Sequence, residues 1–404
     1  MSPPVLKTQI WWSNIAFFLG THLTACIGTY YWSIYAVPRA TLWLAFASWQ
    51  LSCFGITIGY HRLYSHKSFR ASLGLRTALA ALGTAAHQGS IRVRSCLRHR
   101  LHHRFTDDPI HDPYAATRGL FYSHVGWIFF KPNYGKLDLI ETDDLDRDPV
   151  VRIQHRYYHL FAFFLGFLAP IGVASLWGDP FGGFIWGGLV ARILGKLHIW
   201  VSLLSDSDLL MFSVWHCTFF VNSLAHWNGL QPYSDENTSR GNLADHAFPH
   251  DFRSGPSLTD WDPSKWAIII FYYFGLATKL RRAEDEDIKA GLEHMRLKGH
   301  GIACPPDQDE VPVWNLQDLK AFMENGRHML LLLDGYVVNA TSYVREHPGG
   351  SKLIRNYSLR KQMIINEPIN VWPDASNAFH GGMNIHSWAA NQRMKKLRIA
   401  KLSN

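Results

Sequence analysis

No aspartate or glutamate occurs in this 404-residue chain before Asp107, although eleven lysines and arginines do. The whole chain carries a net charge of +8. A basic region raises the question of nucleic acid, but no nucleic-acid fold signature accompanies the charge, so no nucleic-acid partner is expected. These cations sit between apolar runs, where Lys and Arg mark the cytoplasmic side of a membrane and can meet anionic head groups or an anionic ligand. Cysteine is also scarce. Cys26, Cys53, Cys96, Cys217 and Cys304 show no metal or disulfide spacing, which argues against a secreted disulfide scaffold and fits reducing surroundings. The start, "MSPPVLKTQIWW", lacks the features of a signal peptide. The H-E-x-x-H motif of zinc proteases is absent throughout, and there is no internal repeat or low-complexity tract.

Long apolar runs are present instead. Residues 10–36 and 41–60 are each about long enough to cross ~30 Å of hydrocarbon as a helix, with His61 emerging after the second. Residues 73–89 read as an interfacial or half-buried helix. A third span is expected at 157–177, and one crossing plus an interfacial segment within 181–227, where Arg192, Lys196, Asp206 and Asp208 interrupt the apolar sequence. Residues 281–312 are charged and contain proline, as a linker would, and the remainder has soluble-domain composition.

Histidines cluster beside these runs. "GYHRLYSH" carries His61 and His66, whose offset of five turns 140° on an α-helix and so does not face by itself. "RHRLHHRF" carries His99, His102 and His103, whose offsets of three and four share one helical face. "NSLAH" places Asn222 and His226 four apart, and His246 follows in "DHAFPH". Grouped neutral imidazoles suit Fe, Zn, Cu or Ni. The arginines among them are expected on the aqueous side, serving an anionic substrate. His22, His159 and His300 read as ordinary surface or satisfied core residues.

"GYHRLYSHKSF", "HRLHHRFTDDPIHDPY", "GLFYSHVGW" and "FFVNSLAHWNGLQPYSDENTSRGN" closely resemble the membrane-bound acyl-CoA Δ9 desaturases of the fungal type, from about residue 40 to 282. The resemblance implies a mainly α fold: a multi-span transmembrane desaturase domain over residues 1–280, a linker at 281–312, and a small α+β cytochrome b5-like domain over 313–404. It implies a multi-pass endoplasmic reticulum membrane protein with histidine boxes and both termini cytosolic. Two irons would be held by His61, His66, His99, His102, His103, His226 and His246, with Asn222 reaching iron through water. Lys131 would meet the CoA and Phe219 would line the acyl tunnel. The implied reaction uses O2 and electrons to place a cis double bond in a fatty acyl-CoA, typically stearoyl or palmitoyl. An unactivated methylene has no acidic proton, so a cofactor must carry the hydrogen-removal step.

"VREHPGGSKLI" and "DASNAFHGGMNIHSWAANQRM" resemble a cytochrome b5 domain, with His347 and His386 matching its axial haem b ligands. Bis-imidazole ligation leaves no open iron position and suits electron transfer. Cytochrome b5 reductase is the implied electron donor. The chain departs from the family at four places. "NLADHAFPHD" retains only His246 of the third histidine box, and the residues before His99 lack the family's tryptophan pair. The stretch near 191–211 looks inserted, and an extra crossing there would put His226 across the membrane from His103. An apparent insert, "SLRKQMIINEPINVWP", widens the His347–His386 spacing, with Ile364, Ile365 and Trp372 expected to disturb the haem pocket. A catalytically impaired desaturase relic, or another histidine-box lipid oxygenase such as a hydroxylase, is the alternative reading.

Overall fold

A computed structural model of the chain describes residues 9–131, 134–193, 214–227, 229–236, 238–240, 251–253, 261–302, 311–324, 326, 328–344, 347, 350–366, 368–381 and 386–403. His246, His250, Cys304 and most of the stretch that looks inserted near 191–211 lie outside them. The chain divides into two compact units, the first of residues 1–137, 142–231 and 237–284, the second of 138–141, 232–236 and 285–404.

The first unit is built from helices. Trp12–Tyr31 is helical within the first apolar run. The second run continues further than its apolar part, as one helix over Arg39–Ser65. At 1.5 Å per residue this helix is about 40 Å long, beyond the ~30 Å of a bilayer core, so its last turns can stand clear of lipid. Tyr158–Ser175 is the other helix long and apolar enough to cross a membrane. Trp43, Phe46 and Leu51 on one, and Leu160, Phe163, Phe164 and Leu168 on the other, face outward. Exposed apolar side chains in such number fit a lipid-facing surface. Leu73–Ala85 is a helix, capped by the Ser72 hydroxyl accepting from the Leu75 amide at 3.3 Å.

The Leu73–Ala85 helix packs along the second half of the Arg39–Ser65 helix at unusually close range. A Cβ at Gly55 would lie 2.1 Å from the Gly83 amide nitrogen, and one at Gly83 would lie 2.3 Å from the Tyr60 ring. Both positions need glycine because backbone meets backbone or ring there. Buried Gln154 adds a polar tie. It donates to the Tyr60 hydroxyl at 2.8 Å and to the Thr84 hydroxyl at 2.9 Å, and accepts from the Ile91 amide at 3.1 Å. Tyr60 adjoins His61, and Ile91 opens the turn that leads to His99. The network therefore fixes two histidine-bearing segments against each other.

The second unit contains a four-stranded mixed sheet in the order β3-β6-β5-β4, with β3 Val313–Trp314, β4 Leu330–Leu333, β5 Tyr336–Asn339 and β6 Arg398–Leu402. (β1 Arg70–Ala71 and β2 Ala277–Thr278 form a small ribbon in the first unit.) Asp334 and Gly335 join β4 to β5 with φ of 54° and 76°, the two-residue turn that suits a twisted hairpin. Side chains alternate: Leu330 and Val337 enter one apolar cluster, Leu331 and Val338 another. Part of the expected linker, Asp285–Gly299, is a helix. Asp285, Glu286 and Asp287 fall in the first turn and Arg296 and Lys298 in the last, which favours the helix dipole.

Replacing Gly55 by alanine forces the two closely packed helices apart. Overpacking of this kind costs about 1–3 kcal/mol. A lower thermal midpoint of the detergent-solubilised G55A protein is expected, and an unchanged midpoint would contradict the packing.

Candidate metal centre

The His61–His66 spacing does face one way, contrary to the α-helical expectation. Gly55–Ser65 is a π-helix, and the His66 amide donates to the His61 carbonyl at 3.0 Å. Bonding from i to i+5 stacks residues five apart, so the two imidazoles converge. The other box lies on the Arg98–Arg104 helix, itself continuing a π-helical Ile91–Leu97 segment. Its three histidines part company. His99 and His103 turn toward His61 and His66, while His102 turns toward His226.

The ligand atoms of His61, His66, His99 and His103 all lie within 4.8 Å of one another. His66 Nε2 is 3.1 Å from His61 Nε2 and 2.8 Å from His99 Nε2, which is 3.0 Å from His103 Nε2. An Nε2 atom offers one proton or one lone pair, so a nitrogen facing two others cannot satisfy both by hydrogen bonding. A single cation can. Imidazole nitrogens ~2.0–2.1 Å from one ion stand about 2.8–3.0 Å apart as neighbours at a right angle and about 3.3–3.4 Å at the tetrahedral angle. The observed 2.8, 3.0 and 3.1 Å lie near the right-angle edge and below the tetrahedral one.

His102 and His226 form the adjoining group, their ring centroids 5.5 Å apart. His226 therefore lies beside the His99–His103 box. His102 Nδ1 donates to the buried Asp112 carboxylate at 2.8 Å. Burial opposes a charge on His102, but Asp112 outweighs it and the His102 pKa is raised. His226 Nδ1 is 2.8 Å from the Thr238 hydroxyl, which donates to Asp107 at 2.6 Å. Among the described residues, His226 Nε2 is buried without a hydrogen-bond partner. A buried polar nitrogen in that state calls for a partner, and with its Nδ1 anchored it is set up as a metal ligand. Asn222 is buried on the preceding helix, Val214–Ser223.

Asp107, Asp112 and Thr238 were not singled out from the sequence. For the two aspartates a signal was available in "FTDDPIHDPY", where acids appear for the first time, immediately after the histidines; for Thr238 there was none. Three of the arginines in these segments are engaged within the protein. Arg62 is buried, donating to Asp262 at 2.8 Å and to the Phe252 carbonyl at 2.6 Å. Arg100 forks onto Asp144 at 2.9 and 2.7 Å. Arg98 is buried with its guanidinium 4.8 Å over Trp127. Acids remote in sequence and aromatic faces absorb these cations, which composition alone does not reveal. Lys131 is exposed, and Phe219 is buried with its ring 5.8 Å from Trp127.

In the second unit, His347 and His386 come together with ring centroids 6.2 Å apart and planes 27° from parallel. Two imidazoles on opposite sides of one ion, at ~2.0–2.1 Å metal–nitrogen, place their centroids about 6.2–6.4 Å apart. His347 Nδ1 donates to the Gly350 carbonyl at 3.0 Å and His386 Nδ1 to the Phe379 carbonyl at 2.8 Å. A carbonyl only accepts, so each ring keeps its lone pair on Nε2, as a metal ligand requires. The apolar residues of the insert pack elsewhere among the described residues. Ile364 and Trp372 are buried with Leu319, Leu330 and Val337, on the sheet face away from the cluster that contains Val344, Tyr343 and Phe379, and Ile365 is exposed.

Asp112→Asn keeps the size of the side chain and removes its charge. Losing a carboxylate that orients a ligating histidine lowers metal affinity about 10–100-fold. Competition with a chelator should show that loss in one class of bound metal, the His61 group being retained. Equal affinity in D112N and wild type would remove Asp112 from the site.

No family model matches the chain. It is similar to a probable acyl-CoA desaturase of Schizosaccharomyces pombe, 33% identical over 97% of this chain and 78% of that protein. Acyl-CoA desaturase 1 of Saccharomyces cerevisiae is 32% identical over 85% of this chain, which spans 64% of that protein's length. Stearoyl-CoA desaturase 5 of Bos taurus is 31% identical over 70% of this chain and 83% of its own. The chain belongs to the acyl-CoA desaturase family.

Proposed function

We propose that this protein is a membrane Δ9 desaturase that places a cis double bond in stearoyl- or palmitoyl-CoA for unsaturated fatty acid biosynthesis. One observation carries the reading: imidazoles from three separated segments gather into two adjoining groups within a family member. His61, His66, His99 and His103 would hold one iron, and His102, His226 and His246, with Asn222 through water, the other. Iron with O2 supplies the oxidising power that an unactivated methylene demands.

The chain's own residues set the geometry. Asp112 keeps the His102 proton on Nδ1 and so aims Nε2 inward, and Thr238 does the same for His226. Buried Gln154 and the glycine contacts hold the ligand-bearing helices rigid, as positional selectivity on a flexible acyl chain requires. Lys131, on the surface, suits the anionic CoA, and Phe219, buried against Trp127, suits the acyl tunnel. The long apolar helices support a multi-pass protein of the endoplasmic reticulum membrane, with the histidines and both termini cytosolic.

Residues 313–404 are read as a cytochrome b5-like domain in which His347 and His386 grip haem b. That domain would pass electrons from cytochrome b5 reductase to the irons. The shortened third box, with His246 alone, favours a second reading in which the chain is a desaturase relic.

Expression in cells lacking their own desaturase separates the two. Oleate and palmitoleate should accumulate with the wild-type chain and fall below detection with His226→Ala. Their absence with wild type, although protein accumulates, refutes the activity. His347→Ala should abolish the reduced-minus-oxidised haem spectrum, and a retained spectrum would remove His347 as a ligand.

A further inference from the structure

Two glutamates from distant parts of the sequence are built into the second unit beside His347 and His386. Glu141 belongs to its 138–141 segment and Glu236 to its 232–236 segment. Glu141 reaches the turn that follows His347. One carboxylate oxygen accepts from the Ser351 hydroxyl at 2.9 Å and the other from the Ser351 amide at 3.2 Å. The approach demands glycine at the preceding position. A Cβ at Gly350 would lie 2.8 Å from the Glu141 carboxylate oxygen, and Gly350 has a φ of 88°.

The Ser351 amide and the Gly350 carbonyl are the two ends of one peptide group. In a trans peptide they point opposite ways. On the carbonyl side His347 Nδ1 donates at 3.0 Å, and on the amide side Glu141 accepts. A relay therefore runs from the imidazole through one peptide to a carboxylate. Hydrogen bonds in such a chain polarise one another, so the carboxylate makes the carbonyl a stronger acceptor. A stronger Nδ1 bond in turn makes the opposite ring nitrogen a more basic ligand.

Glu236 serves His386 differently. It accepts from the Trp388 amide at 2.6 Å, two residues past the histidine, at the start of the Trp388–Lys396 helix. Its neighbour Asp235 pairs with Lys298 at 2.7 Å, and His294, on the same helix as Lys298, stacks on the Trp388 ring at 4.3 Å. Glu236 is exposed and shares no peptide with the carbonyl that holds His386 Nδ1, which belongs to Phe379. It braces the chain without joining a relay.

We propose that Glu141 is a positioning residue for haem ligation, acting through the Gly350–Ser351 peptide to make His347 a more basic ligand and so to lower the reduction potential of the haem. Hydrogen bonding to an axial ligand is one of the means by which a protein sets that potential, and a more basic ligand favours ferric over ferrous iron. A lower potential makes the reduced haem a stronger electron donor. The inference rests on the reading of residues 313–404 as a haem-carrying domain.

The test is a redox titration of the detergent-purified full chain, followed by haem absorption. Glu141→Gln keeps an acceptor of the same shape and removes the charge. Its midpoint should be more positive than that of wild type, with the ferrous-to-ferric ratio at a fixed potential raised several-fold. Glu236→Gln removes an equal charge outside the relay and should stay close to wild type. An unmoved or more negative midpoint in E141Q would overturn the proposal, and equal shifts in both variants would overturn the relay. Hydrogen exchange checks the contact without haem. In Glu141→Ala the Ser351 amide should exchange several-fold faster while β4 and β5 exchange as in wild type, and unchanged exchange at Ser351 would also overturn the proposal. A wild-type chain with no haem spectrum would instead overturn the reading of the domain, an outcome distinct from a normal spectrum with an unmoved midpoint.

Discussion

A buried imidazole nitrogen must have something to bind, and the first unit is organised around that requirement. Among the described residues, His226 Nε2 is buried with no hydrogen-bond partner, and His66 and His99 each aim one nitrogen at two others. Proton sharing cannot satisfy such a gathering, whereas a cation satisfies it directly. The surrounding structure exists to hold these nitrogens still. Asp112 and Thr238 fix ring orientation, the π-helical turn brings His66 over His61, and glycine contacts bring the supporting helices close.

The positive charge of the early sequence has a related explanation. Cations without nearby acids would repel both one another and a metal. Their partners come from later in the chain: Asp262 for Arg62, Asp144 for Arg100, Asp148 for Arg76. Removing one side of the buried Arg62–Asp262 pair would leave an uncompensated charge, at a cost of about 3–5 kcal/mol. Charge balance thus fastens the histidine-bearing helix to segments distant in sequence, and the acid-free opening is incomplete until the chain folds.

Much of this was legible before folding. Apolar runs located the Trp12–Tyr31, Arg39–Ser65 and Tyr158–Ser175 helices, and histidine spacing located residues that do converge. What failed to show had particular physical causes. The α-helical period misjudged His61 and His66 because sequence does not announce a π-helix. The split of His102 from His99 and His103 depends on Asp112 and His226, which only tertiary structure brings near. The insert near residue 364 looked disruptive because its apolar residues had no visible destination, and the second face of the sheet provides one. His246 lies outside the described residues, so its place in the site rests on resemblance.

The central claim is that the converged imidazoles hold two irons. Its most direct measurement is the non-haem iron content of the detergent-purified full chain, with haem quantified separately from its absorption. The account predicts two non-haem irons per chain. One or none, in protein that retains its fold, would contradict it.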